Sequence, residues 1–241
     1  MKKYLLPLAL TDISNEGIVC SKEVRYIVIS RLYTNPIISE SAPDPTVIRT
    51  NDGYFYLYAT EDTRGMAIYR SEDLLNWEKT GTVFNKNNRP TWQGGGSLWA
   101  PEIRYIKNQY VLYYSWAKWG DIDNCHIGVA TASSPEGPFK DQGCLINAGE
   151  MGVRNSIDPF LYEEDGINYM FWGSFQGIYV TMLEDDGLSV KRSNDGKPLL
   201  LNQICGKKFE ATCIYKRGDY YYLFASVGSC CAGPESTYRV V

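Results

Sequence analysis

The feature of the sequence that most constrains the fold is an internal repeat with a period of a little over 50 residues. Each copy contains an acidic residue, a short apolar segment, a turn with Gly or Asn, and a strongly aromatic segment. Two such segments joined by a turn of this kind predict a β-hairpin. The leading acids are separated by 58, 56 and 52 residues, and they are Asp44, Glu102, Asp158 and Glu210.

A third strand-like segment follows each hairpin, and in the first copy a fourth segment follows the third. One sheet of this size cannot bury both of its faces alone, so the copies must stack on one another. The period therefore predicts an all-β chain that folds as a β-propeller, with one sheet, or blade, per repeat. The predicted third strands are residues 65–70, 126–131, 177–182 and 236–241.

The fourth copy is shorter than the others and ends at Val241. This predicts about four blades with the last incomplete, and it favours a fragment of a longer protein, because a ring that ends within a blade leaves a sheet edge unpaired. We assign residues 41–241 to the propeller. Residues 1–40 are interpreted as an N-terminal extension, which holds either a degenerate signal segment at 4–10 or a closing strand at 23–29.

Composition excludes several classes of function. The net charge of −4 argues against a nucleic-acid partner. The single histidine, His126, excludes zinc sites with several His ligands, and we interpret it as structural. The seven cysteines show no C-x-x-C spacing, so we expect mostly small buried apolar side chains rather than redox or zinc sites. No apolar run is long enough to span a membrane.

The leading acids are candidates for chemistry because the innermost strand of each propeller blade lines a central channel. Acids at the head of each repeat would therefore converge from different directions. Glycoside cleavage requires one carboxyl group that gives a proton to the leaving oxygen and one that activates water, and a third acid can raise the pKa of the donor. The alternative is that each acid only caps a turn.

Aromatic residues lie in or beside the segments that follow the repeat heads, where their rings could stack on the apolar faces of sugars. Trp99 and Trp172 are the first candidates, and Phe175 is a further one. The alternative for each ring is packing between blades.

Five segments of the repeat region share one family pattern, at residues 42–47, 98–103, 155–159, 173–175 and 209–218. Together they resemble glycoside hydrolase family 43, the five-bladed propellers that include arabinanases, arabinofuranosidases and β-xylosidases. The resemblance covers residues 40–241 and favours the arabinan-cleaving branch. It implies an inverting enzyme in which Asp44 is the general base, Glu210 the general acid, and Asp158 the residue that orients the acid and raises its pKa. Glu102 stands where the family often has Asp, and we group it with the candidate substrate-binding residues, in a supporting or structural role.

The resemblance also implies a substrate from the plant cell wall, arabinan or its oligosaccharides, and an extracytoplasmic location. No cofactor is required for the chemistry; a structural calcium ion occurs in the family, but no ligand for it is identifiable in this sequence. Two alternatives stay open. One is an exo-acting α-L-arabinofuranosidase or β-xylosidase, and the other is a propeller that binds glycans without cleaving them.

Overall fold

The computed structural model describes residues 33–62, 65–92, 94–229, 235, 237 and 239–241. Apart from residue 33, these residues belong to one compact unit, Thr34–Val241. The elements are β1 (Thr46–Arg49), β2 (Phe55–Tyr58), β3 (Ala67–Ser71), β4 (Glu78–Thr82), β5 (Ser97–Ile106), β6 (Gln109–Lys118), β7 (Asp121–Ala132), β8 (Lys140–Asn147), α1 (Ala148–Met151), β9 (Phe160–Glu164), β10 (Ile167–Trp172), β11 (Ile178–Leu183), β12 (Asn202–Cys205), β13 (Glu210–Arg217), β14 (Tyr220–Val227) and β15 (Arg239–Val240).

The strands form four antiparallel sheets, which we number as blades one to four along the chain. Blades one, two and three each contain four sequential strands, β1–β4, β5–β8 and β9–β12. Blade four contains three strands in the described part of the chain, β13–β15. The predicted all-β fold, with one sheet per repeat, is confirmed.

The turns explain why the hairpins form where the sequence predicts them. In blade two the turn residues Lys107 and Asn108 have φ of 46° and 65°, and in blade three Asp165 and Gly166 have φ of 52° and 76°. Two consecutive residues with positive φ give a turn whose twist matches that of the paired strands. The flanking strands accordingly pair right up to each turn.

The first strands of consecutive blades contact one another, since β1 meets β5, β5 meets β9, and β9 meets β13. The blades therefore turn their first strands toward a shared region, as the innermost strands of a propeller do. The predicted propeller arrangement is confirmed, and it places the start of each repeat at this region.

Apolar side chains fill the spaces between successive blades. Between blades one and two, the rings of Phe84 and Tyr114 meet edge to face with centroids 5.3 Å apart, and both are buried. A second cluster joins blades two and three through Tyr113, Leu161 and Met170. By contrast, blade four exposes large side chains on both faces of β14, at Tyr220, Tyr221, Tyr222, Leu223 and Phe224.

Several sequence expectations concern residues other than the strands. The candidate signal segment, the candidate closing strand, Cys20, Cys230 and Cys231 lie outside the described residues. The four described cysteines are free thiols; Cys125 is buried, but Cys144 and Cys213 are exposed, which corrects the expected burial of those two. The boundary between residues 40 and 41 stays a prediction. No helix in the described ranges is long and apolar enough to cross a bilayer.

Candidate active site

Each blade has one non-glycine residue with positive φ just before its first strand or within the first few residues of that strand, which we call the head residue. The four head residues are Asp44, Ala100, Asp158 and Ala211, with φ of 50°, 42°, 58° and 53°. This conformation costs an ordinary residue roughly 1–2 kcal/mol. Such strain persists where the surrounding structure imposes it, and it is common at functional sites.

Three carboxyl groups from different blades meet at this end of the strands. Burial, together with the negative charges of Glu210 and Asp44, raises the pKa of Asp158 well above its ordinary value, against a hydrogen bond from the Ala211 amide at 3.3 Å. Charges act this way only over short distances. Asp44 and Glu210, 166 residues apart in the sequence, therefore both lie near Asp158. We call this group the three-acid site.

Hydrogen bonds within a blade or from the preceding blade hold each member of the three-acid site in place. The Thr60 hydroxyl donates to Asp44 Oδ2 at 2.7 Å. The Asp158 amide donates to Ser115 Oγ at 2.9 Å, and the Ser174 hydroxyl donates to Glu210 Oε2. The sequence analysis missed Thr60 and Ser174. The signal that could have found them is a hydroxyl residue 15 or 16 positions after each head residue.

Glu102 lies elsewhere, and its assignment to substrate binding is corrected. The side chain is 5% exposed; it pairs with Arg104 at 2.5 Å and accepts hydrogen bonds from Thr46 Oγ1 at 3.0 Å and from the Leu161 amide at 3.1 Å. Arg104 also donates to the Leu161 carbonyl. These four residues join the first strands of blades one, two and three, and we call them the Glu102 junction. Glu102 stands two positions after its head residue, Ala100.

The aromatic candidates separate into two groups. Trp172 is fully buried between blades two and three and donates its indole N–H to Ser156 Oγ at 3.1 Å, so it offers no face to a sugar and its assignment to substrate binding is corrected. Trp99 and Phe175 are half-buried. Trp99 directly precedes the head residue of blade two and contacts Trp119, an exposed ring 6.3 Å away. For Trp99 and Phe175, sugar binding stays a prediction.

Phe175 is tied to the three-acid site through the backbone. Its amide donates to the carbonyl of Phe209, the residue before Glu210, at 3.0 Å. Phe175 itself has a φ of 48°. The loop that carries Ser174 and Phe175 is therefore fastened to the strand that carries Glu210.

Calcium binding, which the resemblance implies for the family, stays a prediction for this chain. Within the described ranges, no three His, Cys, Asp or Glu side chains are grouped so as to hold a metal ion. His126 is buried, and its Nδ1 accepts a hydrogen bond from the Ala148 amide at 3.2 Å. Burial lowers the pKa of His126, against the charge of Asp121. These contacts agree with the structural interpretation of His126.

Comparisons with known proteins identify the family of this chain. The family model for Glycosyl hydrolases family 43 matches residues 33–240. The chain is 31% identical over 212 residues to the extracellular endo-alpha-(1->5)-L-arabinanase 1 of Bacillus subtilis (strain 168), which covers 84% of this chain and 64% of the relative. It is 33% identical over 221 residues to the extracellular exo-alpha-(1->5)-L-arabinofuranosidase ArbA of Cellvibrio japonicus (strain Ueda107), with 82% and 62% covered.

A solved structure gives the same result. The alpha-L-arabinanase of Cellvibrio cellulosa complexed with arabinohexaose matches with a TM-score of 0.68 and 32% identity over 83% of this chain and 69% of that chain. The present chain spans 62–64% of the length of the two curated relatives. Because the family match extends over nearly all the described residues, the chain belongs to glycosyl hydrolases family 43.

Proposed function

We propose that the protein hydrolyses α-1,5-linked L-arabinan with inversion at the anomeric carbon. Asp44 takes a proton from water as the water oxygen attacks, and Glu210 gives a proton to the leaving oxygen as the glycosidic C–O bond breaks. Asp158 modulates the acid. The observation that carries the proposal is the convergence of the three carboxyls: Asp158 accepts a hydrogen bond from the amide of Ala211, the residue after Glu210, and the charges of Glu210 and Asp44 both act on it.

The substrate class rests on the named relatives. Both curated relatives are named for α-1,5-linked arabinose polymers, and the solved structure was determined with an arabinose hexamer. The two curated relatives are also named extracellular, which supports an extracytoplasmic location for this chain. The exo-acting alternative has specific support, because one of the two relatives is named as an exo enzyme.

The test of the proposed function is the Glu210→Gln variant on debranched arabinan. An amide of the same size cannot give a proton to the leaving oxygen, so we expect kcat to fall by about 10²–10⁴-fold. The control is Glu163→Gln, an exposed residue near the opposite end of β9, which we expect to keep wild-type turnover. Unchanged turnover in Glu210→Gln contradicts the assignment. Arabinan binding without sugar release by the wild type supports the non-catalytic alternative.

Two product measurements refine the proposal. Proton NMR of the first product distinguishes inversion from retention, because an inverting enzyme releases the β-anomer from an α-linkage. The viscosity of arabinan at equal sugar release separates endo from exo action. An early fall in viscosity indicates endo cleavage, and arabinose release at nearly constant viscosity indicates exo cleavage.

A further inference from the structure

Thr60 and Ser174 belong to a pattern that runs through all four blades. A hydroxyl residue lies in the last few positions of the second strand of each blade or just after that strand, 15 or 16 positions after the head residue. The four hydroxyl residues are Thr60, Ser115, Ser174 and Ser226. A hydroxyl that recurs in every blade indicates a structural role in joining blades. A role in catalysis is indicated only where one of these hydroxyls makes a different hydrogen bond from the others.

Two of the junctions between blades use the hydroxyl in the same way. The amide of Ala100, the head residue of blade two, donates to Thr60 Oγ1 at 2.8 Å. The amide of Asp158, the head residue of blade three, donates to Ser115 Oγ at 2.9 Å. In both junctions the hydroxyl oxygen accepts the amide hydrogen of the next blade's head residue.

The junction between blades three and four departs from this arrangement. The amide of the head residue Ala211 donates to Asp158 Oδ2, and the Ser174 hydroxyl donates to Glu210 Oε2 instead. Ser174 is 1% exposed and Glu210 is 8% exposed, so water has little access to this contact. The hydroxyl that joins blades elsewhere contacts here the carboxyl group assigned as the acid.

The backbone around Ser174 keeps its hydroxyl on Glu210. Asn155 Nδ2 donates to the Ser174 carbonyl at 2.7 Å. The amides on either side are also bound, that of Gly173 to the Ile157 carbonyl at 2.8 Å and that of Phe175 to the Phe209 carbonyl at 3.0 Å. Ser174 is thereby fixed to the chain segments that carry both Asp158 and Glu210.

Thr60 holds the opposite carboxyl group. Its hydroxyl donates to Asp44 Oδ2, and its amide donates to the Pro43 carbonyl at 2.9 Å. Asp44 is exposed, so its side chain depends on this contact for a fixed orientation more than a buried group does.

We propose that Thr60 and Ser174 are positioning residues, Thr60 for the base and Ser174 for the acid, an inference that rests on the proposed function. The two residues act on different bonds. Ser174 orients the carboxyl whose proton reaches the leaving oxygen as the C–O bond breaks. Thr60 orients the carboxyl that receives the proton of the attacking water. The decrease in kcat on removing the Ser174 hydroxyl should therefore depend on the leaving group, whereas the decrease on removing the Thr60 hydroxyl should not.

The test compares Ser174→Ala and Thr60→Val on debranched arabinan and on 4-nitrophenyl and phenyl glycosides of an α-1,5-arabino-oligosaccharide. A displacement of about 1 Å can reduce turnover by about 10²-fold. We expect a loss of this order in kcat for Ser174→Ala on arabinan and phenyl glycoside, and a much smaller loss on 4-nitrophenyl glycoside, whose leaving group needs little protonation. For Thr60→Val we expect similar losses on all three substrates, and recovery in Thr60→Ser.

The control is Ser156→Ala, because Ser156 is a fully buried serine whose hydroxyl donates to the Val153 carbonyl and accepts from Trp172. We expect this variant to lower thermal stability and to keep the wild-type ratio of rates between substrates. Equal losses on all substrates for Ser174→Ala, or none, overturn the proposal for Ser174. Equal turnover in Thr60→Val and wild type overturns it for Thr60.

Crystal structures of the variants give a readout that does not require activity. We expect the Glu210 carboxyl to be displaced or disordered in Ser174→Ala and unchanged in Ser156→Ala, and the Asp44 carboxyl to be displaced in Thr60→Val. If the wild type hydrolyses none of the substrates, the proposed function fails, while these structures still decide the positioning. Carboxyl groups that keep their wild-type positions overturn the inference whatever the activity.

Discussion

The Glu102 junction and the three-acid site are two acidic regions at the first strands of the blades, and they differ in the charges around their carboxyl groups. Glu102 has a cation, Arg104, at 2.5 Å, and both of its oxygens accept hydrogen bonds. Around Asp158, burial and the negative charges of Glu210 and Asp44 raise the pKa of the carboxyl instead. Charge compensation stabilises a fold, whereas clustered like charges cost stability and are typical of sites that use them chemically. The difference teaches that burial alone does not mark a catalytic acid.

The largest effect that we expect from breaking this comparison is on the Glu102 junction. Glu102→Ala leaves the Leu161 amide and Thr46 without their acceptor and Arg104 without its anion. Removing one partner of a buried ion pair typically costs about 3–5 kcal/mol. For a domain of this size that corresponds to a decrease in Tm of roughly 6–20 °C, measurable by calorimetry.

A matched variant separates the charge from the hydrogen bonds at the junction. Glu102→Gln keeps the volume and one acceptor oxygen, so we expect it to lose less stability than Glu102→Ala. Below the unfolding temperature both variants should retain most of the wild-type kcat on arabinan, because neither touches the three-acid site. A wild-type Tm together with lost turnover in Glu102→Ala would assign Glu102 to the chemistry and remove the distinction between the two regions.

For Asp158 we expect the reverse of the Glu102 result, a loss of turnover with a gain of stability. Asp158→Asn removes a like charge from the three-acid site, so we expect kcat to fall by about 10²-fold, within the range of proton-transfer effects. That is about 2.7 kcal/mol of transition-state stabilisation. At pH 8 the same variant should be more stable than the wild type, by about 2–4 °C in Tm for roughly 1 kcal/mol.

The sign of that stability change follows from proton linkage. Since the pKa of Asp158 is raised in the folded protein, the native state binds more protons than the unfolded state. The wild type therefore loses stability as the pH rises through the raised pKa, and Asp158→Asn does not. Thermal unfolding of both proteins between pH 4 and pH 8 measures the difference. A gap in Tm that stays constant over this range contradicts like-charge clustering at Asp158.

Much of the fold could be predicted because repeated turns and aromatic segments are local signals. The hairpins, the four sheets and the convergence of the first strands follow from the period. The acids themselves were a poor guide to register. Glu102 was aligned with Asp44 and Asp158, but the structurally equivalent residue is Ala100, two positions earlier.

Proline marks the register better than acid does in three of the blades. Pro45, Pro101 and Pro159 each follow a head residue directly. Blade four lacks this proline and places Glu210 one position before its head residue, Ala211. A side chain's burial depends on which blade packs against it, which a local pattern does not encode. For this reason the sequence pattern predicts that Trp172 stacks on a sugar, whereas its side chain lies in the core.

The smallest expected effect is on the pH dependence of Tm and concerns His126. Unlike Glu102 and Asp158, this buried group avoids a buried charge by staying neutral. Its Nδ1 accepts the Ala148 amide, and burial lowers its pKa below the ordinary value of 6.5, against the charge of Asp121. The unfolded state therefore binds the proton first, and stability present above pH 6.5 is lost as the pH falls below that value. His126→Asn keeps an acceptor oxygen without the titration. Between pH 8 and pH 5 we expect the wild type to lose more Tm than this variant, by less than about 4 °C, the shift for 1 kcal/mol in a domain of this size. Parallel Tm curves for the two proteins would show that His126 does not contribute to the pH dependence.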